Sequence, residues 1–150
     1  MKELIEWTET YIKHKDLTLK KIKSIDKKEN VITVKYLDKE QTYHVIAYLN
    51  EEILKKEGII VCLNTEDNFS FLIKKWTEIS KIKNLSILFV NLNRNEKWFI
   101  NPYIHNMIAD PASIVQGLKA MFDTTNGTFT EPKKEKKKPE LFENNDEDEE

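Results

Sequence analysis

Residues 58–102 read GIIVCLNTEDNFSFLIKKWTEISKIKNLSILFVNLNRNEKWFINP. Ile59 to Leu63 and Leu85 to Val90 are apolar runs of strand length, and runs that are apolar at successive positions are typical of strands covered on both faces. Between them, apolar residues recur three or four apart, which predicts one face of a helix: Phe69, Leu72, Ile73, Trp76 and Ile79. A strand, helix and strand joined by short connections form a right-handed crossover, so the two strands should be parallel.

The end of this stretch predicts one more strand. Residues 93–96 supply turn residues, and Lys97 to Ile100 should return beside the second apolar run as an antiparallel neighbour. Pro102 should end this strand, since proline has no N–H for a strand ladder.

The flanking segments complete the predicted architecture. Residues 2–15 have the spacing of an amphipathic helix, and residues 17–49 alternate with a period of two, which predicts an antiparallel meander of three strands. Residues 50–58 predict one or two helical turns, and Asp110-Pro111 is a typical start for a helix that should end near Asp123. The fold class is therefore α/β, with a mixed central sheet, an N-terminal helix and a C-terminal helix.

Charge separates the chain into two parts. The net charge of the 150 residues is −2, with 19 basic and 17 acidic residues in 1–123 but 5 and 9 in 124–150. Residues 1–123 predict a single globular domain, whereas the lysine-rich and then acidic segment 124–150 has too little apolar surface to fold and is predicted to be disordered. Leu141 and Phe142 are an apolar pair in this tail, which is either a docking motif or without a role.

Composition also bears on localisation. Cys62 is the only cysteine, so no disulfide can form within the chain, which fits a reducing compartment. The first residues contain acids where a signal peptide would be apolar, and no apolar run is long enough for a membrane helix. We therefore predict a cytoplasmic protein with no membrane association.

The familiar catalytic patterns are absent from the sequence. Its three glycines are far apart, which excludes the usual phosphate-binding loops, and its three histidines and one cysteine lack zinc-site spacing. Cys62 lies within an apolar strand and is interpreted as a buried core residue rather than a nucleophile. We predict no cofactor, no metal site and no catalytic residue.

Two groups of residues are candidates for binding. The first is a set of lysines that could contact nucleic acid or be ordinary solvated edge residues: Lys20, Lys21, Lys23, Lys27, Lys28 and, further along, Lys97. The second is the segment 101–110, where Tyr103, His105 and Asp110 follow a sheet strand, a common place for binding residues. The alternative for this segment is a structural linker.

The order of elements from Lys2 to Pro102, ending in Lys-Trp-Phe-Ile and a proline, resembles restriction-endonuclease-like nucleases, particularly archaeal Holliday-junction resolvases. In that family the strand before the long helix carries a metal-binding Glu, one further residue and a Lys that helps to activate water. The matching positions here are Cys62, Leu63 and Asn64. Asp38 and Glu40, predicted to lie in a turn, do not replace the upstream acidic ligand, so the resemblance implies a catalytically inactive copy.

The order of elements also fits small secretion-chaperone-like domains, which bind other proteins, except for the additional strand at Ile59 to Leu63. The sequence leaves three candidate functions. The first is a non-catalytic protein-interaction or assembly module that contacts a protein partner through the exposed side of the sheet or the helix from Asp110 to Asp123. The alternative is a catalytically dead nuclease-like module that binds nucleic acid, and the third is an enzyme of unrecognised type that uses His105 and Asp110.

Overall fold

A computed structural model describes residues 1–128 of the chain. Its centre is a six-stranded sheet in which the strands lie in sequence order. The strands are β1 (Ile22–Lys28), β2 (Val31–Tyr36), β3 (Glu40–Val45), β4 (Gly58–Leu63), β5 (Leu85–Asn91) and β6 (Glu96–Ile100). The helices are α1 (Lys2–Lys15), α2 (Glu66–Lys74), α3 (Trp76–Ile79), α4 (Pro102–Ile108) and α5 (Ile114–Asn126), with 3₁₀ turns at Ile53–Lys55 and Pro111–Ser113.

The strand directions confirm the predicted mixed sheet. The first three strands form an antiparallel meander, β3, β4 and β5 are mutually parallel, and β6 returns antiparallel to β5. Gly58 starts β4 with φ +114°, a conformation that side-chain-bearing residues rarely adopt, and a Cβ there would collide with the carbonyl oxygen of Thr42. This glycine therefore allows β4 to begin close beside β3.

Each face of the sheet is covered by helices. On one face, α1 buries Leu4 and Ile12 against the meander and against Val61 and Leu88. On the other face, α2, α3 and α5 cover a larger apolar core, whose largest members from the sheet are Phe89 and Trp98. The central strands β4 and β5 are therefore buried on both faces, which explains why their sequences are apolar at successive positions.

Three predicted boundaries differ from the structure. The third strand was expected to reach Leu49 but ends at Val45, and the long helix of the crossover is divided into α2 and α3 at Lys75. Pro102 does end β6, but it also begins α4, whose first turn is capped by Asn101 Oδ1 accepting from the Ile104 N–H at 3.1 Å.

The C-terminal helix also differs at both ends. Pro111 starts a 3₁₀ turn, and α5 itself runs from Ile114 to Asn126, three residues beyond the expected end at Asp123. Gly127 ends it in the left-handed conformation with φ +72°. The tail predicted to be disordered begins at residue 124, but residues 124–126 belong to α5 and residues 127–128 are also described. Residues 129–150 lie outside the described part. Among residues 1–128, no helix has the length and apolar character required to span a membrane.

Candidate functional site

The carboxyl ends of the parallel strands β4 and β5 are where an α/β sheet usually binds ligands. Here Asn64 follows β4, and Asn91 ends β5. Asn64 Oδ1 accepts from Trp98 Nε1 at 2.7 Å, and its Nδ2 donates to the Phe122 carbonyl at 3.2 Å and to Asn126 Oδ1 at 3.0 Å. Asn91 Nδ2 donates to the same Asn126 Oδ1 at 3.0 Å.

These polar side chains therefore bond to one another and to the end of α5 rather than facing an open crevice. Asn64 is only 7% exposed, although it follows a strand end that would face solvent without α5. The last turn of α5 occupies the place where a ligand would lie in other α/β sheets. We conclude that this asparagine cluster fastens α5 to the sheet.

The positions that match the nuclease motif lie at the same strand end. Cys62 is fully buried among the side chains under α2, and this burial raises the pKa of its thiol well above the usual range. Asp38 lies in the β2–β3 turn, and Glu40 is the first residue of β3 rather than a turn residue as expected. Among residues 1–128, no group of three or more His, Cys, Asp or Glu side chains is placed to hold a metal ion.

The structure places one of the predicted lysine candidates, Lys97, away from the others. Lys20 lies in the turn after α1 with φ 51°, the backbone N–H of Lys21 donates to Asp16 Oδ1 at 2.8 Å, and Lys23 is exposed on β1. Lys97 is exposed on β6, so it lies at the opposite edge of the sheet from Lys23, with four strands between them.

Two further lysines of the first group are also on or near β1. Lys27 Nζ pairs with Glu9 Oε1 at 2.8 Å, which ties β1 to α1, and Lys28 ends the strand with an exposed side chain. The ammonium group of Lys27 is therefore held in an ion pair within the fold rather than available to a ligand.

The candidates in segment 101–110 contact different neighbours. The ring of His105 meets Trp76 edge-on, with centroids 6.1 Å apart, and Tyr103 lines a small cleft beside the same tryptophan. Asp110 Oδ2 accepts from the Ser113 hydroxyl at 3.3 Å, within the turn that leads into α5. His105 and Asp110 thus serve two separate structural contacts.

A large concave surface lies elsewhere, between α2 and α5. This surface, which we call the α2/α5 groove, has a volume of about 1120 Å³ and mostly apolar walls. Phe69 of α2 and Phe122 of α5 pack with ring centroids 4.9 Å apart, and they join the two helices at one end of the groove. Its walls are formed by Glu66, Phe69, Ser70, Ile73 and Lys74 on one side and by Ala112, Ser113, Val115, Gln116, Gly117, Lys119, Ala120 and Asp123 on the other.

Small residues of α5 create the depth of the groove. Ser113, Gly117 and Ala120 follow one another at helical spacing, and a Cβ added at Gly117 would have no atom within 4 Å. Val115 remains 53% exposed on the same helix. The groove therefore offers open apolar surface above a well-packed core.

The charges at the two ends of the groove have opposite sign. Asn64, just before α2, bonds to the end of α5, so the two helices run in opposite directions along the groove. Glu66 and Asp123 thus lie at one end and Lys74 at the other. Asp123 is paired with Lys119 at 2.9 Å, whereas neither Glu66 nor Lys74 belongs to an ion pair within residues 1–128.

Comparison with known proteins found no matching family model, no matching curated protein and no matching solved structure. The resemblance to restriction-endonuclease-like nucleases therefore stays a prediction.

Sequence reasoning named the helix from Asp110 to Asp123 as one candidate contact surface, but it did not predict the groove that this helix forms with α2 or the asparagine cluster. Helix propensity records Gly117 only as a cost to helix stability, although small residues at positions 113, 117 and 120 indicate a helix face that lacks bulk. The sequence offers Asn64 or Thr65 as the cap of α2, and Thr65 fills this role by accepting from the Asn68 N–H. The sequence signal for the asparagine cluster is an asparagine at the carboxyl end of each of two neighbouring parallel strands, Asn64 after β4 and Asn91 at the end of β5.

Proposed function

We propose that this chain is a non-catalytic protein-interaction module that binds an apolar segment of a partner protein in the α2/α5 groove. The observation that supports the proposal is the groove itself, an open and mostly apolar surface lined by Ile73, Val115 and Gly117 among others. Amphipathic helices of partner proteins commonly place their apolar face in such grooves. The polar positions that could have formed a catalytic site are instead bonded to the rest of the fold.

Substitutions at Gly117 test this proposal. Gly117→Ala should raise the free energy of unfolding by roughly 0.5–1 kcal/mol, because alanine favours the helix and its methyl group meets no neighbour. Gly117→Leu should also fold, but its side chain projects into the open space of the groove. We expect peptides selected from a displayed library on the wild-type chain to bind Gly117→Ala and to lose at least about tenfold in affinity for Gly117→Leu, equivalent to 1.4 kcal/mol.

Val115→Ser is a matched control, because it removes an apolar wall without blocking the channel and should weaken the same peptides by a smaller factor. Isothermal titration of the selected peptides measures all four chains. Peptides that bind Gly117→Leu as tightly as the wild-type chain, or a selection that yields no binder, would exclude the groove as the interaction site.

A second candidate function, nucleic-acid binding, is supported by a different surface on α1 and β6. The Tyr11 ring stacks on Trp7 with centroids 5.2 Å apart, and the ammonium groups of Lys15 and Lys97 lie 5.2 and 5.6 Å from its centroid. Phe99, two residues from Lys97 on β6, is 49% exposed. Aromatic rings beside lysines are the arrangement with which proteins bind single-stranded nucleic acids.

Filter binding of a single-stranded oligonucleotide across a salt series tests this alternative. Phe99→Ala should weaken binding by about 1–3 kcal/mol if a base stacks on the ring. Lys97→Gln should reduce the slope of log K against log salt by about 0.7 for one lost phosphate contact. Lys83→Gln, a change of an exposed lysine before β5, is the control. Binding that is unmeasurable at low salt, or that all three variants change equally, contradicts this function.

A further inference from the structure

We propose that the α2/α5 groove binds residues 139–143 of this same chain, with Leu141 and Phe142 as its apolar anchors. This inference rests on the function proposed for the groove. It identifies the segment of the chain that a partner protein would have to displace. The segment reads PELFE, and its two apolar residues are flanked by polar ones. An adjacent Leu and Phe supply large apolar surface to a channel whose walls include Ile73 and Val115.

The order of charges along the C-terminal segment complements the groove. Five of the six residues from 133 to 138 are lysines, Leu141 and Phe142 follow, and residues 146–150 are all acidic. Glu66 lies at the end of the groove where α5 finishes, and Lys74 lies at the other end. A chain that turns back from the end of α5 meets the acidic end first with its lysines and the basic end last with its acids, so both charge contacts are favourable.

The chain is long enough to make this connection. Thr128 lies two residues beyond the end of α5, and 13 peptide units join it to Leu141. They span up to about 45 Å when extended, whereas the helical stretch from Ala112 to Asp123 that lines the groove is only about 17 Å long. A short tether gives the segment an effective concentration in the millimolar range. Even weak docking, with a dissociation constant of about 0.1 mM, would then cover the groove in about nine of ten molecules.

A cysteine placed in the groove reports this docking in the full chain. The wild-type chain gives the background rate of the thiol reaction, because its one cysteine, Cys62, is fully buried. Gln116→Cys and Gly117→Cys each put a thiol at a position that lines the groove. The measured quantity is the rate at which each thiol reacts with 4,4′-dithiodipyridine, a neutral reagent that the charged segment does not attract or repel.

We expect both thiols to react about tenfold faster after Leu141→Ser/Phe142→Ser, since the anchors no longer cover the groove. Exchanging the end charges by Glu66→Lys/Lys74→Glu should also accelerate the reaction. A thiol introduced at Thr18, in the turn after α1, is the control, and its rate should not respond to either change. Equal rates with and without the anchors at both groove positions would overturn the proposal.

Dilution identifies the source of the segment. Docking within one chain protects the thiols equally at 1 and 100 μM, whereas protection that disappears on dilution would show that the segment comes from a second copy and would overturn the proposal. The proposed function fails separately, if peptides selected on the Leu141→Ser/Phe142→Ser chain bind its Gly117→Leu derivative equally well. The two failures are therefore distinguishable.

Discussion

Trp98→Ala should lower the free energy of unfolding by about 3–5 kcal/mol, the range typical of a large aromatic side chain removed from a core. Trp98 is 3% exposed and stacks on Phe89 with ring centroids 4.4 Å apart and planes 9° from parallel. Its indole N–H also donates to Asn64 Oδ1 at 2.7 Å. The substitution thus opens a cavity and leaves a buried acceptor without a donor. Urea denaturation followed by far-ultraviolet circular dichroism measures the change.

Trp98→Phe separates these two contributions. Phenylalanine keeps an aromatic ring against Phe89 but cannot donate to Asn64, so the loss should be about 1–3 kcal/mol. Phe99→Ala is a matched control on the same strand, because its side chain is 49% exposed and should contribute far less to stability. A loss below about 1.5 kcal/mol for Trp98→Ala would mean that the indole does not hold β6 and the asparagine cluster together.

The sheet could be predicted because its signals are local. Alternating apolar residues in 31–36 and continuous apolar residues in 59–63 and 85–90 report which strands have one or two covered faces. Short connections then fix the strand directions. These patterns reflect the burial of a whole strand. They therefore identify the strand even when its predicted ends are wrong by a few residues.

The wrong boundaries arise from tertiary contacts that no local pattern contains. Beyond Val45 the alternation continues, but the Asn68 side chain accepts from the Leu49 N–H and donates to the Ala47 carbonyl, both at 2.8 Å, so a helix residue replaces a neighbouring strand. Likewise, the interrupted helix at Lys75 lets Trp76 Nε1 donate to Asn106 Oδ1 of α4 at 2.9 Å. In both places an asparagine side chain bonds to a residue that is distant in the sequence.

The candidate site was less predictable than the fold because it depends on what is missing from a surface. A groove forms where two helices diverge above small residues, and sequence periodicity records only the side of α5 that is buried: Ile114, Leu118 and Phe122. The opposite side, with Gly117 and Ala120, resembles an ordinary exposed face until α2 is placed beside it. The distance between Lys97 and Lys23 is likewise a property of the strand order, which places them at opposite edges of the sheet.

The asparagine cluster gives the second large effect. Asn64→Asp should lower the free energy of unfolding at pH 7 by about 3–5 kcal/mol, because a buried carboxylate without compensating charge replaces a neutral amide of the same shape. The carboxylate still accepts from Trp98, but it cannot donate to the Phe122 carbonyl. Rotation of the Asn126 amide would supply a donor only by removing the acceptor that Asn91 uses.

The loss should also depend on pH. Burial and the facing Phe122 carbonyl raise the pKa of the introduced carboxyl above its value of about 3.9 in the unfolded chain. The folded state then binds the proton more tightly, so the variant is closest to wild type below about pH 4 and loses stability as pH rises through the folded-state pKa. Asn93→Asp, at an exposed position of the β5–β6 turn, is the matched control and should show neither effect. Equal destabilisation by Asn64→Asp at pH 4 and pH 7 would contradict a buried, fully bonded amide at the end of β4, and with it the conclusion that α5 closes this edge of the sheet.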